Sequence, residues 1–154
     1  MYQYLLIFHS IFRWFVLCSL MLSIYKAYLG YTQHKEFSKT DNALRHWTAT
    51  ITHIQLIVGI TLYFKSPLIS YFWGNLSEAI SYFESSFFGL FHLLFMLMSI
   101  VIVTIGSALA KRKTTAREKY RTVLIWFSVA LFIIFVAIPW PFSPFVNRPY
   151  IRTF

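Results

Sequence analysis

The stretch FFGLFHLLFMLMSIVIVTIGSAL, residues 87–109, decides the fold. It runs 23 residues without an Asp, Glu, Lys or Arg. About 20 apolar residues at 1.5 Å rise cross the hydrocarbon core of a bilayer as a helix, so this run is a membrane span. Three more segments meet the same test. One runs from about Gln3 to Leu29, broken only by His9 and Arg13; one from about Ala43 to Phe64, more polar than the rest; and one from about Val123 to Ile138. The last is short, and Tyr120 and Trp140 extend it toward both interfaces. The expected fold is all-α: an integral-membrane, up-down-up-down bundle of four helices forming a single domain over residues 1–154, with an extracytoplasmic tail from 139 to 154.

Composition agrees. Of 154 residues, 58% are apolar and 12% charged, against about 45–50% and about 25% in a soluble domain. The formal charge of +9 would raise nucleic acid as a partner of a soluble chain. Here the cations cluster between apolar runs, which points to lipid and away from nucleic acid. Lys26, Lys35, Lys39 and Arg45 lie between spans one and two, and Lys111, Arg112, Lys113, Arg117, Lys119 and Arg121 between spans three and four. Only Lys65, Arg148 and Arg152 lie at the other end. The positive-inside rule then puts both basic loops in the cytoplasm and both termini outside. The first segment has no basic n-region and no small-residue cleavage site, so it is expected to stay in the mature chain. Cys18, the single cysteine, sits in an apolar run and is expected as a buried small hydrophobe.

Between spans two and three, Phe72, Leu76, Ile80 and Phe83 recur at helical spacing. This predicts a short amphipathic helix in the outer interface, in competition with an apolar loop packed on the bundle. After span four, Pro139, Pro141 and Pro144 forbid further helix.

Ionisable residues at membrane depth are costly and default to functional candidates. They are His9 and Arg13 in span one, His53 in span two and His92 in span three. His9 lies six residues in from Gln3, and His92 six in from Ser86. Both therefore lie about 9 Å below one boundary, while His53 is nearer the midplane. Two imidazoles at matched depth on different helices suit a haem standing between them. Three converging imidazoles would suit copper or zinc instead, which the depth of His53 disfavours. Neutral histidines that only pack helices are the plain alternative. Asn42, His46, Thr50 and His53 form one stripe of span two, expected to face a partner helix. Ser85, Gly89, His92, Ser99 and Gly106 form another, with Gly89 leaving room for a flat ligand. Arg13 is always charged and has no acid at its depth, so it needs carbonyl oxygens, a quinone or a haem propionate. No Cys-x-x-Cys-His, Gly-rich phosphate loop, His-Glu-x-x-His or paired membrane carboxylates occur.

His9-Ser10-x-x-Arg13-Trp14, His53-x-Gln55-Leu56-x-x-Gly59, His92, Thr104-Ile105-Gly106 and Ile138-Pro139-Trp140-Pro141-Phe142 together resemble a family of small four-span bacterial membrane proteins described as cytochrome-b-like. The resemblance covers most of the chain. It departs at Phe91 and Leu93, where the family has an acid and a proline around the third histidine, and at Ser107, often histidine there. It implies a b-type haem in the bacterial inner membrane with ligands among His9, His53 and His92. The reading that follows is electron transfer with His9 and His92 axial to the haem iron. His53 is then a substitute ligand or a quinone or proton contact, and Arg13 a counter-charge. Quinone, a larger respiratory complex or a second copy of the chain are the expected partners. A cofactor-free accessory subunit of such a complex is the competing function, consistent with 17 Phe, 10 Tyr and 5 Trp in so short a chain.

Overall fold

A computed structural model describes residues 1–152; the last two positions of the expected tail lie outside the described residues. The helices are α1 (Tyr2–Thr32), α2 (Lys39–Lys65), α3 (Pro67–Gly74), α4 (Leu76–Ala79), α5 (Phe83–Ser86), α6 (His92–Arg112) and α7 (Ala116–Ala137). A π-helical turn, Phe87–Phe91, joins α5 to α6, so that Phe83–Arg112 forms one long rod. This rod, α1, α2 and α7 are each long and apolar enough to cross a membrane. They pack as a ring in chain order, α1 on α2, α2 on α6, α6 on α7 and α7 back on α1. The described residues include no strand.

Each span is longer than its apolar run, and in α2 and α7 the polar first turn is held by a cap that hydropathy does not register. The Ser38 hydroxyl accepts from the Asp41 N–H at 3.1 Å while the Asp41 carboxylate accepts from the Ser38 N–H at 3.0 Å, closing a capping box at the start of α2. Thr115 and Glu118 open α7 in a similar way, the Thr115 hydroxyl accepting from the Glu118 N–H at 3.3 Å. Tyr120, expected to extend span four toward an interface, is buried against the bundle. Its single hydroxyl proton is shared between Glu36 O at 2.9 Å and Asp41 Oδ2 at 2.8 Å, tying α7 to the α1–α2 loop and the start of α2. Trp140 is likewise buried, against Trp14 and Phe142.

Lipid tails are as apolar as leucine, so the helices associate by close packing and interhelical hydrogen bonds. Four of the five glycines receive a neighbour's ring or its Cβ: Gly30 faces Tyr120, Gly59 faces His9, Gly89 faces Phe72 and Gly106 faces Trp126. The space at Gly89 is therefore filled by Phe72 of α3 rather than left for a ligand. Between α1 and α2, the hydroxyls of Ser23 and Thr48 meet at 2.7 Å, and Thr48 also reaches Ser19 O at 3.2 Å.

The inward stripe of α2 is offset from the expected one. Arg45, Thr48, Ala49 and Thr52 are buried, whereas Asn42 and His46 are exposed and Thr50 and His53 half-exposed. Both stripes obey helical spacing, and the small Ala49 and Thr48 let α1 approach where Trp47 and His46 would not. The expected stripe of the third span does face inward, with Ser85, Gly89, Ser99 and Gly106 buried and His92 half-buried. Cys18 is exposed on α1, not buried. The segment after α2 is not one amphipathic helix. Asn75, at φ −134° and ψ 46°, breaks it into α3 and α4, and Phe72 is buried while Leu76, Ile80 and Phe83 are exposed.

Candidate functional site

The end of the bundle that carries Tyr2 and Arg152 opens into a cavity of about 400 Å³, within the 300–1,000 Å³ range usual for ligand pockets. Leu6, Leu56, Ile60, Leu93, Met96 and Ile100 supply apolar wall from α1, α2 and α6. Beside the hydroxyls of Tyr2, Ser10, Thr52, Tyr63 and Ser66, its polar groups are His9, Arg13, Gln55 and His92 from the spans and Glu84, Arg148 and Arg152 near the mouth.

His92 is held by a device written into the end of α7. In a helix, the carbonyl of Ala137 would accept from the N–H of residue 141, and that of Phe135 from residue 139. Both positions are proline, which has no N–H. Each stranded carbonyl is taken by a side chain instead. The Trp140 indole donates to Phe135 O at 2.8 Å, and His92 Nδ1 donates to Ala137 O at 2.9 Å. A carbonyl can only accept, so His92 carries its proton on Nδ1 and keeps the Nε2 lone pair free. The π turn ends at this residue, with the His92 N–H bonded to Phe87 O five residues back. Such turns insert an extra residue into the helical register and often occur at functional sites.

His9 faces the same cavity from α1. Its ring lies against Gly59, where an added Cβ would stand 3.2 Å from Cε1. Its backbone carbonyl accepts from Gln55 Nε2 at 3.0 Å. His9 Nδ1, Gln55 Oε1, Arg13 Nε and Arg148 Nε are buried without a hydrogen-bond partner. Each is a donor or acceptor open to a ligand or a water in the cavity.

Arg13, one turn along α1, finds carbonyl oxygens, one of the partner classes expected for it. Nη2 donates to Pro149 O at 3.1 Å and to Tyr150 O, and the Trp14 indole also donates to Tyr150 O, at 3.2 Å. The guanidinium lies 5.7 Å from the ring centroids of both Trp14 and Trp140. The chain after Pro144 thus does not trail away. It returns along α1, where the Arg152 N–H reaches Ser10 Oγ at 3.1 Å, and Arg148 pairs with Glu84 beside it.

His53 lies elsewhere, outside the cavity wall. The Thr104 hydroxyl donates to Ile100 O at 2.7 Å, so it accepts from His53 Nε2, 2.9 Å away. That nitrogen is occupied as a donor between α2 and α6. No group of three His, Cys, Asp or Glu is placed to hold a metal ion among the described residues. The three histidines expected as alternatives are thus two on one cavity and one apart.

A buried cation lies in what reads by sequence as a basic loop. Arg45 is 5% exposed and donates to Ser107 O at 2.8 Å, to Ser107 Oγ and to Asn42 Oδ1 at 2.9 Å. The returning tail, the π turn and the lock on His92 were also not anticipated. Only the last had a signal, the two prolines placed four residues after the carbonyls they strand.

Comparison of the chain with protein-family models, with curated proteins and with solved structures finds no match.

Proposed function

We propose that the chain holds a b-type haem between His9 and His92 and acts in electron transfer within the membrane. One observation carries the reading. His92 presents an unoccupied Nε2, its other nitrogen fixed by Ala137 O, on a cavity whose opposite wall carries His9. Ligating histidines typically donate their second nitrogen to a carbonyl or carboxylate, which fixes ring and tautomer. When bound, haem iron supplies a one-electron couple whose potential follows from its axial ligands and surroundings.

The chain's own residues would set that environment. His9, with an unpartnered ring nitrogen, supplies the second imidazole. Leu56, Ile60, Leu93 and Met96 exclude water and favour the less charged, reduced state. Gln55 fixes the α1 backbone at His9 and turns an unpartnered oxygen to the site. Arg13 places a permanent positive charge one turn away. His53, committed to Thr104, is left to proton or quinone contact rather than ligation. The family resemblance implies a bacterial inner-membrane location, and the charge asymmetry of the loops supports both termini and the cavity on the extracytoplasmic side. Electrons would pass to or from quinone or a neighbouring subunit.

The direct test is haem stoichiometry. Protein produced with ample haem and purified in detergent is expected to carry one non-covalent protohaem per chain by pyridine haemochrome assay. Colourless, folded protein under those conditions would overturn the reading.

A further inference from the structure

The C-terminal segment Asn147–Arg152 lies across the mouth of the cavity, and its attachments are specific. Arg148 is ion-paired to Glu84 beside the π turn, with its guanidinium 5.1 Å from the Phe88 ring centroid. Pro149 and Tyr150 give their carbonyls to Arg13, and the Arg152 N–H is bonded to Ser10 on α1. Arg148, Pro149 and Arg152 all line the cavity with His9 and His92. The segment is a strap forming one wall of the site.

The charge on that site is unbalanced. Its lining holds three arginines, Arg13, Arg148 and Arg152, and one acid, Glu84, which Arg148 already engages. Two positive charges are left over, Arg13 half-buried on α1 and Arg152 exposed on the strap, and the lining holds no further acid to meet them. Arg13 satisfies Nη2 only with neutral carbonyl oxygens, and Nε of both Arg13 and Arg148 is buried without an acceptor. Guanidinium groups with spare donors are suited to planar, two-oxygen acceptors such as carboxylates.

We propose that the strap is the acid-recognising wall of the cavity, with Arg148 and Arg152 acting together with Arg13 to select a ligand bearing two carboxylates on one edge of an apolar body. The inference rests on the haem reading for the ligand's identity, since protohaem carries two propionates at one edge. The strap must swing out for such a ligand to enter, and Arg13 exchanges tail carbonyls for a carboxylate as it closes.

The test separates the inference from the reading beneath it. Full-length apoprotein from haem-limited cells is titrated in detergent with haemin and with haemin dimethyl ester, following the low-spin Soret band. The wild type is expected to bind the diacid about tenfold more tightly than the ester or better, the scale of one charge-assisted hydrogen bond. Arg148→Gln with Arg152→Gln, and separately Arg152→Gln, should lose most of that preference and leave ester affinity within about twofold of wild type. Equal affinity of the wild type for diacid and ester would overturn the role of the arginines while leaving the haem site standing. So would variants that weaken both ligands equally. A band with neither ligand would overturn the haem site and this inference together. The wild-type comparison decides the matter even if the variants fail to fold.

Discussion

His92 and Ala137 are joined by a 2.9 Å hydrogen bond at the end of α7, where the chain turns extended at Ile138 ahead of Pro139 and Pro141. A helix carbonyl four residues before a proline has no backbone donor, and in a membrane that loss must be made good by another group. The imidazole of α6 does so for α7. The same bond therefore closes the end of one helix and sets the tautomer and aim of a side chain on another.

Replacing both prolines tests the relationship. Pro139→Ala with Pro141→Ala lets α7 continue past Ile138 and returns an N–H at residue 141 that can compete for Ala137 O. Groups that orient a ligand from behind typically alter metal affinity 10–100-fold, and since the carbonyl has two lone pairs the expected loss in haem affinity is about tenfold. Unchanged affinity, measured by the same Soret titration, would mean that the ring is positioned by its packing on Phe87 and Phe88 alone.

Glycine packing gives a contrast within one molecule. A Cβ at Gly106 would fall 2.3 Å from Trp126 Cβ, an atom fixed to the α7 backbone, whereas one at Gly74 meets nothing within 4 Å. Gly106→Ala is expected to destabilise by about 1–3 kcal/mol through overpacking. Gly74→Ala should be neutral or slightly stabilising. Thermal unfolding in one detergent compares them, and similar melting temperatures would contradict the α6–α7 packing described.

The buried Arg45 makes a third case. Ser107→Ala removes an acceptor from a cation that cannot be neutralised, at an expected cost of about 1–3 kcal/mol. Ser107→Gly should cost at least as much, since it also loosens α6. A melting temperature unchanged by Ser107→Ala would show that Arg45 reaches other acceptors.

The four spans were legible because length and apolarity alone define a membrane helix, and residues 87–109 leave no alternative. Their ends were not, since Ser38–Asp41 and Thr115–Glu118 extend helices through polar sequence. The pairing of His9 with His92 on one cavity followed from counting depth along two helices. His53 could not be placed that way. Depth does not fix the face a helix presents, and the small residues Thr48, Ala49 and Thr52 turned α2 so that His53 meets Thr104. Arg45 looked like a loop cation because its acceptors, Ser107 O and Oγ, lie 62 residues away. The strap was illegible for the same reason. Its anchors at Ser10, Arg13 and Glu84 are far off in sequence, and no local pattern in residues 147–152 announces them.

The central claim is that His9 and His92 together hold one haem, and a reduced-minus-oxidised visible spectrum tests it most directly. It would be taken on detergent-purified wild type beside His9→Ala, His53→Ala and His92→Ala. The predicted result is a sharp low-spin b-type band in wild type and His53→Ala, lost or converted to high spin in His9→Ala and His92→Ala. A band that survives both of those substitutions, or vanishes only with His53→Ala, would contradict the assignment.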